Sequence, residues 1–203
     1  MTRIVLGSAS PRRRELLAAA GVAFDVERPD VDESLPLGIE PTAAARLLAE
    51  RKARAIVARV PADRIVLAAD TIVAVEIDGT AQFLGKPDDE QEAAEMLRRL
   101  SRTRHQVVTG VCVLAARPGA VPHIGSERTW VTMRAITSAE VAAYVASGEW
   151  RDKAGGYAIQ ETGDRFVVRL EEGGIDNVVG LPVRLALELL QAAGALVQRD
   201  PLG

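Results

Sequence analysis

A loop of small residues, Gly7-Ser8-Ala9-Ser10, runs into Pro11 and three consecutive arginines, Arg12, Arg13 and Arg14. Ser10 is a good helix N-cap and Pro11 fits the first helical position, so the arginines fill the first turn. A helix N-terminus carries about +0.5 of a charge, and each cation near it costs roughly 0.3–1 kcal/mol. A bound anion would resolve that conflict. Free backbone N–H groups, the Ser8 and Ser10 hydroxyls and two guanidiniums could converge on a phosphate. Solvated arginines, with Arg14 paired to Glu15, are the alternative. On the anion reading, removing Arg13 leaves the fold unharmed, because it takes a cation away from the wrong end of a helix. No Gly-Lys-Ser/Thr follows, so the loop is not a P-loop.

Asp70 lies inside Ile65-Val66-Leu67-Ala68-Ala69-Asp70-Thr71-Ile72-Val73. Strand alternation puts it on the face of Val66, Ala68 and Ile72. An unpaired carboxylate there needs a cation, a metal or a raised pKa, unless it turns to water at a strand end. Lys52 lies four residues from both Leu48 and Ile56, on the buried stripe of a helix whose polar stripe is Arg46, Glu50 and Arg54. It either snorkels outward or reaches a phosphate in a cleft. In Gly85-Lys86-Pro87 the residue before proline is held extended, and Gly85 allows close backbone approach, so Lys86 is presented stiffly; a turn before a helix explains it equally. The acidic run Asp30-Val31-Asp32-Glu33 is a solvated charge cluster or a source of oxygen ligands for a hard divalent cation. His105 and His123 are expected to be satisfied by strand neighbours, and Trp130 and Trp150 to be packing residues. Four cations (Arg12, Arg13, Lys52, Lys86) suit a polyphosphate, and two acids (Glu33, Asp70) suit a metal with an activated water.

These residues need elements to carry them. Ile4-Val5-Leu6 reads as a buried strand, followed by a helix from Pro11 to about Ala20 with Gly21 as its stop. A strand over Val22–Glu27, an irregular loop over Arg28–Glu40 and a helix over Pro41–Arg59 follow. Ile65–Ile77 is the strongest strand signal, ending in a turn at Asp78-Gly79. Asp88 caps a helix to Leu100 that has acids in its first turn and Arg98 and Arg99 in its last. Gln106–Ala116 and Glu127–Ala135 read as a strand pair, Ser138–Ser147 as a helix, Gly155-Gly156 as a loop, Phe166–Leu170 as a strand, and Pro182 to about Ala193 as the closing helix. Helices and strands mix without strict alternation, which predicts an α/β fold with a mixed sheet.

The chain has 203 residues, 28 acids against 25 bases, 48% hydrophobic residues and a single cysteine. Its length suits one domain or a compact two-lobed one. The net charge of −3 excludes a general nucleic-acid binder. The lone Cys112 excludes an intramolecular disulfide and a thiolate zinc cluster, and suits a reducing cytosol. No apolar run approaches the ~18–20 residues of a membrane span, and the N-terminal apolar stretch is too short for a signal peptide. Homo-oligomer frequencies favour a symmetric dimer.

Six segments, in order over nearly the whole chain, resemble the Maf family of nucleoside triphosphate pyrophosphatases: Leu6-Gly7-Ser8-Ala9-Ser10-Pro11-Arg12-Arg13, Ala69-Asp70-Thr71-Ile72-Val73, Gly85-Lys86-Pro87, His105-Gln106-Val107-Val108-Thr109-Gly110-Val111, Lys153-Ala154-Gly155-Gly156-Tyr157-Ala158-Ile159-Gln160 and Asn177-Val178-Val179-Gly180-Leu181-Pro182. The resemblance implies one two-lobed α/β domain over residues 1–203. It implies an elongated mixed sheet flanked by helices, similar to the inosine triphosphate pyrophosphatases, with the active cleft between the lobes. It implies hydrolysis of a nucleoside triphosphate to the monophosphate and pyrophosphate with a divalent cation, Mg2+ or Mn2+. Asp70 is then the proton acceptor, and Ser8, Arg13, Glu33, Lys52 and Lys86 take phosphate or metal roles, with Glu33 and Asp70 on the metal. Arg12, Thr71 and Gln160 resemble the subgroup acting on dTTP and UTP rather than on 7-methyl-GTP. Where the family pattern has Gly-Ser-Tyr before Asn177, this chain has Gly173-Gly174-Ile175. A nucleotide-binding regulator of septum formation without turnover is the alternative. Asp70 discriminates, since a pure binder has no use for a carboxylate that repels its ligand. An aspartyl-phosphate phosphatase would want a second acid two residues on, where Ile72 stands.

Overall fold

The computed structural model describes residues 3–195. The chain opens with strand β1 (Arg3–Gly7), helix α1 (Pro11–Ala19), strand β2 (Phe24–Glu27), helix α2 (Pro41–Val57) and the long strand β3 (Arg64–Ile77). Strand β4 (Thr80–Leu84), helix α3 (Glu90–Leu100), strands β5 (Arg104–Ala115) and β6 (His123–Met133) and helix α4 (Ser138–Ser147) follow. Strand β7 (Val167–Glu171) and helices α5 (Ile175–Val179) and α6 (Val183–Ala192) end the described chain. Seven strands form one mixed sheet in the order β2-β1-β3-β5-β6-β7, with β4 paired to β3. β1 runs parallel to both β2 and β3, with Ile4 opposite Phe24 and Ile65. β3 and β4, and β6 and β7, are antiparallel.

Two compact units share the chain. One comprises Met1–Asp70, Thr109–Glu127 and Gly180–Gly203; the other comprises Thr71–Val108 and Arg128–Val179. In the first unit both faces of the sheet are covered, which is why β1 and β3 read as unbroken apolar runs. Ile4, Leu6, Leu67, Ala69, Val111 and Val113 form one core with Leu17 of α1 and Leu190 of α6. Val5, Val66, Ala68, Cys112 and Leu114 form another with Ala49, Ala53 and Ile56 of α2. Residues of even number in this part of β3 therefore face α2. Gly110 is required at that interface: a Cβ there would lie 2.2 Å from the Ala45 carbonyl oxygen in α2. In the second unit α3 packs on α4, and Tyr144 of α4 meets Phe166 edge-on at 5.5 Å between ring centroids.

Several local expectations need correction. The cap of α3 is Asp89, not Asp88: its side chain accepts from the Glu92 N–H at 2.8 Å, and Glu92 in turn accepts from the Asp88 N–H at 2.8 Å. Either aspartate would place an acid or amide at the third helical position, Glu92 for Asp89 and Gln91 for Asp88, so the sequence alone does not separate them. Asp78 and Gly79 both take positive φ (51° and 73°), the hairpin conformation that turns β3 into β4, a strand of five residues of which only Phe83 and Leu84 are shielded from water. Gly155 and Gly156 do lie in a loop, within a three-residue turn over Ala154–Gly156 in which both take positive φ (73° and 68°). The short α5 carries no periodic signal. Among the described residues no helix is long and apolar enough to cross a membrane.

Candidate active site

The junction of β1 and α1 behaves as its sequence requires. Ser10 caps α1 by accepting from the Arg13 N–H at 3.4 Å, and the buried Ser8 hydroxyl accepts from the Ser10 N–H at 3.1 Å. The Arg13 side chain folds back into the protein. Its Nη1 lies 3.5 Å from Ser8 Oγ, and its Nε donates to the Gly180 carbonyl at 2.7 Å. Burial lowers the pKa of this guanidinium from its ordinary value, and the nearby carboxylates of Asp70 and Glu33 work against that while Arg12 adds to it. Arg12 is half-buried on the same turn and Arg14 is exposed.

Lys52 does not snorkel. Its ammonium is buried and bonded to Asp70 Oδ1, with Glu33 Oε1 at 2.7 Å. The side chains of Lys52 and Asp70 are each about 10% exposed, whereas that of Glu33 is 60% exposed. Asp70 comes from β3 with the parity of Val66 and Ala68, Lys52 from the buried stripe of α2, and Glu33 from the loop between β2 and α2. Lys52 and Asp70 thus answer each other's desolvation, the condition for keeping charges out of water, while Glu33 adds its charge from the solvent side. Ser8, Arg13, Glu33, Lys52 and Asp70 are all brought together within the first unit.

Thr71, Lys86 and Gln160 belong to the second unit. Thr71 follows Asp70 in β3 and is half-buried; Lys86 and Gln160 are exposed. The segments bearing Lys86 and Gln160 are tied to each other, since the Gly155 N–H donates to the Gly85 carbonyl at 2.9 Å. The tight approach here is at Gly155, not Gly85. Gly155 has φ 73° and a Cβ on it would lie 3.0 Å from Val73, while nothing lies within 4 Å of a Cβ on Gly85. The stretch leading to Gln160 is pinned from beneath: Tyr144 Oη accepts from the Ala158 N–H at 2.9 Å, and Tyr157 Oη pairs with His105 Nε2 at 3.0 Å.

His105 is therefore held by a residue 52 positions away rather than by strand neighbours, and among the described residues its Nδ1 has no partner. Burial pulls its pKa down to about 4. Trp130 is half-buried under the guanidiniums of Arg104 and Arg128, at 4.1 and 5.3 Å from the ring centroid, whereas Trp150 is a buried packing residue whose indole donates to the Val145 carbonyl at 3.0 Å. At the departure from the family pattern, a Cβ on Gly173 would lie 2.3 Å from Thr129 Oγ1, and that hydroxyl donates to the Gly174 carbonyl at 3.2 Å. Ile175 is exposed.

For a cation, no group of three or more His, Cys, Asp and Glu gathers among the described residues. Glu33 and Asp70 nevertheless converge on one positive charge, the Lys52 ammonium. Two hard carboxylates are what Mg2+ or Mn2+ takes from a protein when substrate phosphates and waters complete its shell. The donor set fits such an ion and does not form a dedicated all-protein cage. One contributor was invisible in the sequence. Arg51, lying off the polar stripe of α2, donates through Nη1 to the carbonyls of Asp32 (3.1 Å) and Ser34 (2.6 Å) on either side of Glu33. Its only sequence signal is adjacency to Lys52.

Comparison with known proteins is consistent across the chain. The family model described as Maf-like protein matches residues 3–193. A dTTP/UTP pyrophosphatase of Deinococcus radiodurans is 47% identical, covering 95% of this chain and 93% of its own. A dTTP/UTP pyrophosphatase of Moorella thermoacetica is 45% identical, covering 96% of both. A solved nucleoside-triphosphatase / dITP/XTP pyrophosphatase of Mycobacterium abscessus covers 67% of this chain and 76% of its own at 16% identity and a TM-score of 0.39, a likeness too slight to bear on fold or function.

Proposed function

Because the chain belongs to the Maf-like protein family, we propose that it hydrolyses a nucleoside triphosphate to the monophosphate and pyrophosphate, with dTTP and UTP preferred. The observation that carries the reading is Asp70. It is a buried strand carboxylate oriented by Lys52, with the Arg13 guanidinium close enough to feel its charge. A water attacking the α-phosphorus needs a proton acceptor, and the Asp70 carboxylate takes that proton. The bond from the α-phosphorus to the bridging oxygen breaks, and the pyrophosphate leaves with the charge that builds on it. Arg13, Lys52 and Lys86 meet that charge. Lys52 has two tasks: in the ligand-free protein it holds Asp70 and Glu33, and an arriving polyphosphate offers it further anionic oxygens.

Glu33 and Asp70 are the residues that would hold a divalent cation. When bound there, such an ion polarises phosphoryl oxygens and makes a water more acidic. Ser8 and the capped N-terminus of α1 provide hydrogen-bond donors of the kind that seat phosphate oxygens.

Base preference rests on Arg12, Thr71 and Gln160. A small hydroxyl and an amide can pair with the O4 and N3 edge of a pyrimidine. A site built for one base edge rejects bases that leave its groups unpaired, and Arg12 stacks on a large purine less specifically than an aromatic would. Modified pyrimidines are tolerated, because a C5 substituent lies away from that edge. Reduced, buried Cys112 and the triphosphate substrate both fit a cytoplasmic setting, and the proposed state is a homodimer, on homo-oligomer frequency alone.

The test is a panel of dTTP, UTP, CTP, ATP and GTP with Mg2+ or Mn2+, separating pyrophosphate from orthophosphate. Pyrophosphate with the monophosphate, fastest from dTTP and UTP, is expected. Release of orthophosphate and a diphosphate would defeat the reaction. Equal rates on all five would defeat only the base preference. Gln160→Glu should harm the pyrimidines selectively, since it replaces an amide donor facing O4 with an acceptor.

A further inference from the structure

Glu33 is an exposed carboxylate on the stretch between β2 and α2, where no hydrogen-bond ladder holds the backbone. Such a residue can be a ligand only if something else fixes its place. We propose that Arg51 is that device, a positioning residue for Glu33, and the inference rests on the reading of Glu33 as a divalent-cation ligand.

The geometry is specific. One guanidinium nitrogen of Arg51 reaches both carbonyls that flank Glu33, those of Asp32 and Ser34. The Asp32 carboxylate closes the same turn from the other side, accepting from the Ser34 N–H at 2.8 Å and from its hydroxyl at 2.6 Å. With the backbone held on both sides of it, Glu33 has only its own side-chain torsions left free, and its carboxylate meets Lys52. Successive residues on a helix point about 100° apart, so Arg51 and Lys52 reach different parts of the loop from one turn of α2. The first grips the backbone and the second the carboxylate. Lys52 also fixes Asp70, so this single turn of α2 sets the relative position of both proposed cation ligands. Arg59, further along the chain, holds the start of the loop by donating to the Arg28 carbonyl at 2.8 Å, away from Glu33.

The experiment uses the full chain, Mn2+ as the probe and a dTTP analogue with a methylene bridge between the α- and β-phosphorus, which cannot turn over. Free Mn2+ is followed by electron paramagnetic resonance, and amide hydrogen exchange is followed over residues 31–34. Arg51→Met keeps the aliphatic stem and removes the donors. It should weaken Mn2+ binding roughly tenfold, the lower end of what losing an orienting partner of a ligand costs, and speed exchange at residues 31–34. Arg51→Lys should recover part of both losses. Arg59→Met should leave Mn2+ binding unchanged, so a general loosening of the loop would appear as equal loss in both variants and overturn the proposal. Glu33→Gln separates the two readings. If it leaves Mn2+ binding unchanged, Glu33 is not a ligand and the premise falls. If it weakens binding while Arg51→Met does not, the premise stands and the inference about Arg51 is wrong. In a Glu33→Gln background, Arg51→Met should add no further loss.

Discussion

Asp70 is the residue on which turnover should depend most steeply. Asp70→Asn keeps the shape and removes the proposed proton acceptor, so kcat should fall by about 10^2–10^4-fold, the usual range for a lost general base. Nucleotide binding without metal should persist, as measured by calorimetry; a near-normal rate would refute the assignment. Arg13 calls for a more divided expectation. Arg13→Ala should weaken binding or transition-state stabilisation by roughly 1.5–3 kcal/mol, as a lost charge-assisted hydrogen bond does. Removing a cation from a helix N-terminus should by itself cost the fold nothing, but Nε also holds the Gly180 carbonyl. The ligand-free protein should therefore lose about 1–2 kcal/mol as well, visible as a lower Tm. Arg13→Lys should not rescue both effects, because an ammonium cannot reproduce a fork that reaches Gly180 and Ser8 together.

Helix α2 presents both Arg51 and Lys52, and its seat on the sheet depends on Gly110. A methyl group at that position would stand 2.2 Å from a backbone oxygen of α2, and backbone cannot rotate out of the way as a side chain can. Gly110→Ala should cost about 3 kcal/mol or more, the upper range of overpacking, and should lower activity by shifting Lys52 away from Asp70. Gly85→Ala is the control: with open space around its Cβ and no positive φ it should leave the urea midpoint nearly unchanged. Equal midpoints for the two variants would contradict the packing argument. The same comparison separates two glycines that look alike within their motifs, one needed for packing and one not.

Acid should destabilise the folded molecule through His105. Its folded pKa of about 4 lies below the ordinary value near 6.5 of an unfolded chain. The unfolded state therefore binds the proton first as pH falls. The full stability is present above about pH 6.5 and is lost progressively down to about pH 4, for a total of roughly 3 kcal/mol. Urea unfolding at pH 7 and pH 4.5 measures this, and His105→Gln, which can still bond Tyr157, should flatten the curve across that window. Glu140 acts lower. Its carboxyl is held down to about 2, first by the Arg134 hydrogen bond and then by Thr137, so its contribution is present above the usual carboxylate range and fades as pH falls toward 2. Cys112 takes no part, because burial pushes its thiol up to about 12 and leaves it unreactive at neutral pH.

Local stereochemistry makes much of the site legible in the sequence. The Ser10 cap follows from the small-residue loop before Pro11. The parity of β3 assigns Asp70 to the side of Val66 and Ala68, and the 3.6-residue period of α2 puts Lys52 among Leu48 and Ile56. Each of these is a property of residues within a few positions of one another, so the sequence alone determines it. What the sequence leaves open is which buried face meets which. Lys52 finding Asp70 at 18 positions' distance, Arg13 finding Gly180 at 167, and His105 finding Tyr157 at 52 all depend on packing. The grip of Arg51 on the Glu33 loop was unreadable for a further reason. It is made to backbone carbonyls, which every residue carries, so no side-chain type in the loop announces it. Only the tertiary structure decides such contacts, because a carbonyl becomes a specific partner when folding places it in front of a donor.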